Sequence, residues 1–172
     1  VLLEQPWRVA GRRVATAAAQ LDQSWLGGVA SLPEVGLVDL PLVVGGRSTG
    51  ARVAARTYAE SGAKGLLALA FPLQPPARPS AVKMAQSRAG ELPSGAPTLI
   101  LQGSRDQFGT APDFGDLPVG VTVRTVPWAD HEFALPRNAP ITERECLGIV
   151  AEQTAGWLSG LLSGESVGRH GR

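Results

Sequence analysis

The 172 residues carry 16 basic and 15 acidic side chains, 21 glycines, 14 prolines and a single cysteine, Cys146. This is the composition of one folded domain, long enough to bury about 70% of the unfolded chain's surface, so a core needs neither disulfide nor metal to complete it. A formal charge of +1 with no run of Lys or Arg excludes a phosphate-backbone footprint. No window approaches the roughly 20 apolar residues of a membrane span, and no charged leader precedes an apolar core, so a soluble cytoplasmic protein without nucleic-acid or membrane partners is expected.

Val1-Leu2-Leu3 is an apolar run closed by Pro6 and the arginines from Arg8 to Arg13, the pattern of a strand emerging into a loop. From Ala17 to Leu32 the residues Leu21, Trp25, Leu26, Val29 and Leu32 recur at helical spacing, with Gly27 and Gly28 as weak points and Pro33 as the stop. Leu40 to Val44 is a continuous apolar strand, and Thr49 to Ser61 is a helix capped by Gly62. Gly65 to Ala70 and Thr98 to Leu101 are two further buried strands. The segment between them, from Phe71 to Pro97, has six prolines and reads as a loop with one short helix. Val119 to Val126 is the last strand. Thr142 with Glu145 forms a capping box for a helix whose apolar face runs from Cys146 through Trp157 to Leu161. The sum is one α/β domain over residues 1–163, a mostly parallel sheet flanked by helices, with residues 164–172 as a polar tail.

In such sheets chemistry collects where strands end at their carboxyl edge, which directs attention to the residues after Val44, Leu101 and Val126. After Val44 comes Gly45-Gly46-Arg47-Ser48-Thr49-Gly50, a G-x-S-x-G between a strand and a helix. The turn is so sharp that side chains two residues either side of Ser48 are expected to collide, hence the glycines. The turn projects Oγ and places the Thr49 N–H at a helix N-terminus, a candidate oxyanion donor. The strand ending at Leu101 is followed by Asp106, and the strand ending at Val126 by His131. A serine hydroxyl is a poor nucleophile at neutral pH. His131 would take its proton while Asp106 fixes the imidazole, and the order Ser, Asp, His is that of α/β-hydrolases.

Asp130 is the rival acid, but neighbours on an extended loop point apart, which favours Asp106 over Asp130, Asp113 and Asp116. One cysteine and two histidines cannot build a thiolate zinc site, and no cofactor motif is present, so neither metal nor cofactor is expected. Cys146 falls on the apolar stripe of the last helix, as a buried thiol does. Trp7, Trp25 and Trp157 read as packing residues. Trp128, beside the histidine, and Phe71, opening the proline-rich loop, are candidate substrate-binding residues, the pocket mouth being formed by Phe71 to Pro79 and the Trp128 region.

Four segments resemble one family. They are Glu4-Gln5-Pro6-Trp7-Arg8-Val9-Ala10-Gly11-Arg12, Val44 to Arg52, Ala70-Phe71-Pro72-Leu73, and Gln102-Gly103-x-x-Asp106-x-Phe108-Gly109. They are similar to the dienelactone-hydrolase-like branch of the α/β-hydrolases, in particular to small bacterial relatives of a testis-expressed hydrolase-like protein and of a histone acetyltransferase complex subunit. The likeness runs to about Leu162. It implies an α/β-hydrolase fold with Ser48, Asp106 and His131 at the triad positions, and no particular substrate. Family members often carry His where Gln74 stands here.

The family also has earlier strands and a glycine-rich loop that supplies a second oxyanion N–H, for which this sequence has no counterpart. An N-terminally incomplete chain is therefore expected, with open edges on the first strand and on Leu40 to Val44, and with weakened activity. An in-frame stop directly upstream, with no apolar strand and glycine-rich loop before it, is the observation against this. The expected function is serine-dependent hydrolysis of a small ester, lactone or thioester through an acyl-enzyme. The alternative is a non-catalytic interaction module that keeps the three side chains as scaffolding.

Overall fold

The computed structural model describes residues 1–13, 16–75 and 87–164. Helices α1 (Pro6–Val9) and α2 (Ala18–Ala30) lead into a sheet of four strands, β1 (Val43–Arg47), β2 (Gly65–Leu69), β3 (Thr98–Gly103) and β4 (Val121–Val126). Between β1 and β2 lie α3 (Thr49–Arg56) and α4 (Tyr58–Ser61), and α5 (Glu143–Ser163) follows β4. Single 3-10 turns occupy Leu32–Val35, Arg88–Glu91 and Ala111–Phe114. The strands stand in the order β1-β2-β3-β4 and every pairing is parallel. The expected α/β fold with a parallel sheet is thus observed.

Continuous apolar strands are what a sheet covered on both faces requires, and successive side chains go to opposite layers. Val44, Leu66, Ala68 and Ile100 pack with Ala51, Ala54 and Ala55 of α3. Leu99, Leu101 and Val126 pack with Cys146 and Trp157 of α5. The α5 stripe sits so close to β2 that a Cβ on Gly65 would stand 2.6 Å from the Leu161 side chain. Thr142 caps α5 reciprocally with Glu145, as the spacing predicts, and Gly164 ends it in the left-handed conformation.

The first expected strand is not one. Val1 and Leu2 are exposed, Pro6 starts α1 where a loop was expected, and Leu3 packs on Gly28, where a Cβ would meet its side chain at 2.7 Å. Without a pairing neighbour among the described residues the run does not form a strand, and of the three only Leu3 gains burial, by covering α2. The expected strand Leu40 to Val44 is shifted. Pro41 cannot donate to a ladder and Asp39 has a positive φ, so pairing begins at Val43 and runs through both glycines to Arg47, opposite Leu69. Among the described residues β1 pairs only with β2. The helix expected over Thr49 to Ser61 breaks at Thr57, whose hydroxyl donates to the Val53 carbonyl at 2.8 Å. The tail beyond Gly164 and much of the proline-rich loop lie outside the described residues. Among the described residues no helix is long and apolar enough to cross a membrane.

Candidate active site

β1 ends directly at Ser48, which takes φ 55° and ψ −118°, a conformation that costs an L-residue on the order of 1–3 kcal/mol and that the surroundings must impose. They do so from both sides. The Ser48 N–H donates to the Leu69 carbonyl at 3.0 Å, and the Ser48 carbonyl accepts from the Arg52 N–H in the first turn of α3. Gly46 is required here, because a Cβ on it would lie 2.6 Å from the Gly50 carbonyl carbon, whereas Gly50 faces open space. The expectation that glycine is needed on both sides of the serine is corrected on one side: the turn crowds the strand residue and leaves the helix residue free. Thr49 is the first residue of α3, so its N–H has no partner within the helix.

Asp106 lies on the turn that leaves β3. Its Oδ1 accepts the Phe108 N–H at 2.8 Å, and its side chain is fully buried. His131 comes from the loop after β4, which is pinned to the same turn. Ser104 Oγ accepts the Trp128 N–H at 2.8 Å, and the Arg105 N–H donates to the Ala129 carbonyl at 2.9 Å. Trp128 and Phe133 both have positive φ, so the loop carries local strain on either side of the histidine. Asp130 builds this loop and does not touch the imidazole. Its Oδ1 accepts the N–H groups of Glu132 and Ala134 at 2.8 and 2.9 Å.

Three side chains from three strand ends meet in one line. His131 Nδ1 is 2.8 Å from Asp106 Oδ2, and His131 Nε2 is 2.8 Å from Ser48 Oγ. With Asp106 accepting at Nδ1–H, Nε2 is left free to accept the Ser48 O–H. Phe108 meets the imidazole edge-on, ring centroids 4.5 Å apart at 73°, and blocks its rotation from one side. The structure therefore brings Ser48, Asp106 and His131 together, with the Thr49 N–H adjoining them in sequence.

The two expected substrate contacts fare differently. Phe71 is wholly buried and its ring packs 6.2 Å from that of Phe114, so it belongs to the core beneath the site and has no free face for a ligand. The run Ala70 to Leu73 is buried as a unit, because the chain turns inward after β2 before it reaches the prolines. Trp128 is 41% exposed on the histidine loop. Of the expected pocket mouth, residues 76–79 lie outside the described residues. A groove of about 700 Å³ lies elsewhere, between α2 and the start of β1, lined by Leu26, Val29, Leu37 and Leu42 among others. Cys146 is buried against the Phe133 carbonyl, and burial, aided by the Glu143 charge, pushes its thiol up, away from nucleophilic duty. Among the described residues no group of three or more His, Cys, Asp or Glu could hold a metal ion.

The sequence reading leaves Gln102, Gly103 and Phe108 without roles. Yet all three touch the histidine loop or the Asp106 carboxylate. The signal for Gly103 and Phe108 was present in the spacing G-x-x-D-x-F-G, whereas nothing in it marked Gln102. A tight turn that must present a buried carboxylate leaves few places from which to support it.

The family model described as an alpha/beta hydrolase domain matches residues 3–159. No curated protein matches the chain. Among solved structures, a protein of unknown function from Agrobacterium tumefaciens superposes with a TM-score of 0.64 at 17% identity, over 92% of this chain and 68% of its own. A serine hydrolase without lid from Xanthomonas campestris gives 0.55 at 17% identity, over 84% and 59%. An esterase of Thermogutta terrifontis, solved phosphorylated by paraoxon, gives 0.55 at 15% identity, over 92% and 69%. The chain thus spans between 59% and 69% of the length of these three structures. At such identities the likeness is one of fold.

Proposed function

The chain belongs to the alpha/beta hydrolase domain family, and on that premise we propose that it hydrolyses a small ester, lactone or thioester through an acyl-enzyme on Ser48. The observation that carries this reading is the pair of 2.8 Å contacts of His131, one to Ser48 Oγ and one to Asp106 Oδ2.

In the first half-reaction Ser48 Oγ attacks the acyl carbon while His131 Nε2 takes its proton. The carbonyl π electrons move to oxygen, where the Thr49 N–H at the head of α3 meets the developing charge. Asp106 keeps the imidazole in the tautomer with Nε2 free and stabilises the imidazolium. The tetrahedral species collapses, the carbon–heteroatom bond of the leaving group breaks, and His131 returns its proton to that group. Water then repeats the sequence against the acyl-Ser48 carbonyl and releases the acid. The steps draw on the Ser48, His131 and Asp106 side chains, the Thr49 main-chain N–H and water. Trp128, exposed on the histidine loop, is the residue we assign to the substrate side. The resemblance of Val44 to Arg52 and of Gln102 to Gly109 supports the dienelactone-hydrolase-like branch as the branch we propose.

A fluorophosphonate probe tests the reading. Stoichiometric labelling of the chain, lost in Ser48→Ala and in His131→Ala, is expected, together with turnover of a p-nitrophenyl ester. Equal labelling of the Ser48→Ala variant removes Ser48 from the account. A chain that neither labels nor turns over ester is the interaction module instead.

A further inference from the structure

The Asp106 carboxylate has a third donor that the proposed chemistry does not use. Its Oδ2, the oxygen that faces His131 Nδ1, also accepts from Gln102 Nε2 at 2.8 Å. Gln102 is the penultimate residue of β3 and is completely buried. The other hydrogen of the same Nε2 goes to the Gly109 carbonyl at 2.7 Å. Both neighbours are acceptors only, so the amide must face them with its nitrogen, and its orientation follows from their chemistry. The consequence is unfavourable for folding: Gln102 Oε1 is buried with no hydrogen-bond partner. An apolar side chain of the same length would remove that orphan, but it would leave the buried Gly109 carbonyl and the Asp106 carboxylate each short of a donor.

We propose that Gln102 is a positioning residue for the Asp106–His131 pair, holding the carboxylate in plane against His131 Nδ1. This rests on the acyl-transfer reading for its consequence, but not for its geometry. With Phe108 N–H on Oδ1 and two donors on Oδ2, the carboxylate cannot swing about its last torsion without losing a bond. The Gln102 contact to Gly109 also closes the turn that carries Asp106, so the amide sets where the carboxylate stands.

The test exploits the fact that the chain has only two histidines, His131 and His170. With His170→Gln as background, the His131 Nδ1–H proton is followed by NMR in the parent and in the Gln102→Met and Gln102→Leu variants. The expected result is exchange of that proton with water about tenfold faster in both variants, together with a kcat for a p-nitrophenyl ester about tenfold lower and KM unchanged. An exchange rate unmoved in whichever variant folds overturns the proposal. A purely structural Gln102 would change stability and leave the exchange rate alone. If the exchange rate moves while Ser48 neither labels nor turns over ester, the Gln102 assignment holds and the acyl-transfer reading falls.

Discussion

Gly103 and Ala129 are in near contact: a Cβ placed on Gly103 would stand 2.5 Å from the Ala129 carbonyl oxygen, with the Asp130 carbonyl at 2.6 Å. Both are backbone atoms and cannot rotate aside. The loop that passes over the end of β3 carries His131 one residue later, so the absence of a side chain at Gly103 is what lets the imidazole reach Ser48. Gly103→Ala must lift that loop, and a displacement near 1 Å at a reacting group costs on the order of 100-fold in rate. We expect kcat/KM for a p-nitrophenyl ester to fall by about that factor while circular dichroism still reports a folded chain. A wild-type rate in this variant would mean that the loop is not held by β3.

The two glycines of the serine turn separate in the same way. Gly46→Ala drives a Cβ to within 2.6 Å of the Gly50 carbonyl carbon and 3.0 Å of the Ala51 nitrogen. Gly50 has nothing near its Cβ position and lies inside α3, where Ala is favoured over Gly by about 0.5–1 kcal/mol. Gly46→Ala should therefore lose both thermal stability and fluorophosphonate labelling. Gly50→Ala should keep labelling and melt no lower than the parent. Equal loss in both variants would show that the motif's second glycine is needed for something other than room.

This pair also marks what the sequence could and could not tell. Ser48, Asp106 and His131 were readable because each follows a short apolar run, and topology alone brings such positions to one edge of a parallel sheet. Gly50 was misread because a pattern shows that a residue is small without showing what would strike a larger one. Phe71 was misread for a related reason: it follows a strand, but the chain turns into the core there, and burial depends on partners such as Phe114 that are distant in sequence. Val1 to Leu3 has the composition of a strand and lacks a neighbour to pair with, which no local pattern records. Gln102 was invisible as a site residue because glutamine is usually a surface residue, and only the coordinates bury it.

The choice between Asp106 and Asp130 is a matter of which carboxylate meets the imidazole, and it can be read in rates. Asp106 is 2.8 Å from Nδ1, whereas Asp130 spends one oxygen on two backbone N–H groups of its own loop. An amide at position 106 presents the wrong partner to Nδ1–H and favours the wrong tautomer. Asp106→Asn is therefore expected to lower kcat on the order of 10³- to 10⁴-fold with little change in KM. Asp130→Asn keeps an oxygen for both N–H groups and should stay within about tenfold of the parent. The reverse ranking would return the acid role to Asp130.

Glu91 links the far end of the proline-rich loop to the helix that begins with Thr49. Arg52 Nε donates to Glu91 Oε2 at 2.8 Å, an Arg56 nitrogen reaches the same oxygen at 3.3 Å, and Arg56 Nε also holds Asp22 of α2 at 2.9 Å. Burial alone would push the Glu91 carboxyl up, but the two guanidinium groups outweigh it and hold it below the usual range. A carboxyl whose folded value lies below its unfolded value of about 4.3 contributes stability above that pH. The contribution is lost as pH falls through the folded value. With Arg52, Arg56 and Glu91 each between 20% and 23% exposed, Glu91→Gln should cost more than the 0–1 kcal/mol of an exposed pair and less than the 3–5 kcal/mol, roughly, of a buried one at pH 7. Urea midpoints measured from pH 7 to pH 3 should show the parent and the variant converging below about pH 4, because protonation removes in the parent what the substitution removes in the variant. A gap that stays constant across that range would mean that Glu91 supports α3 by shape and not by charge.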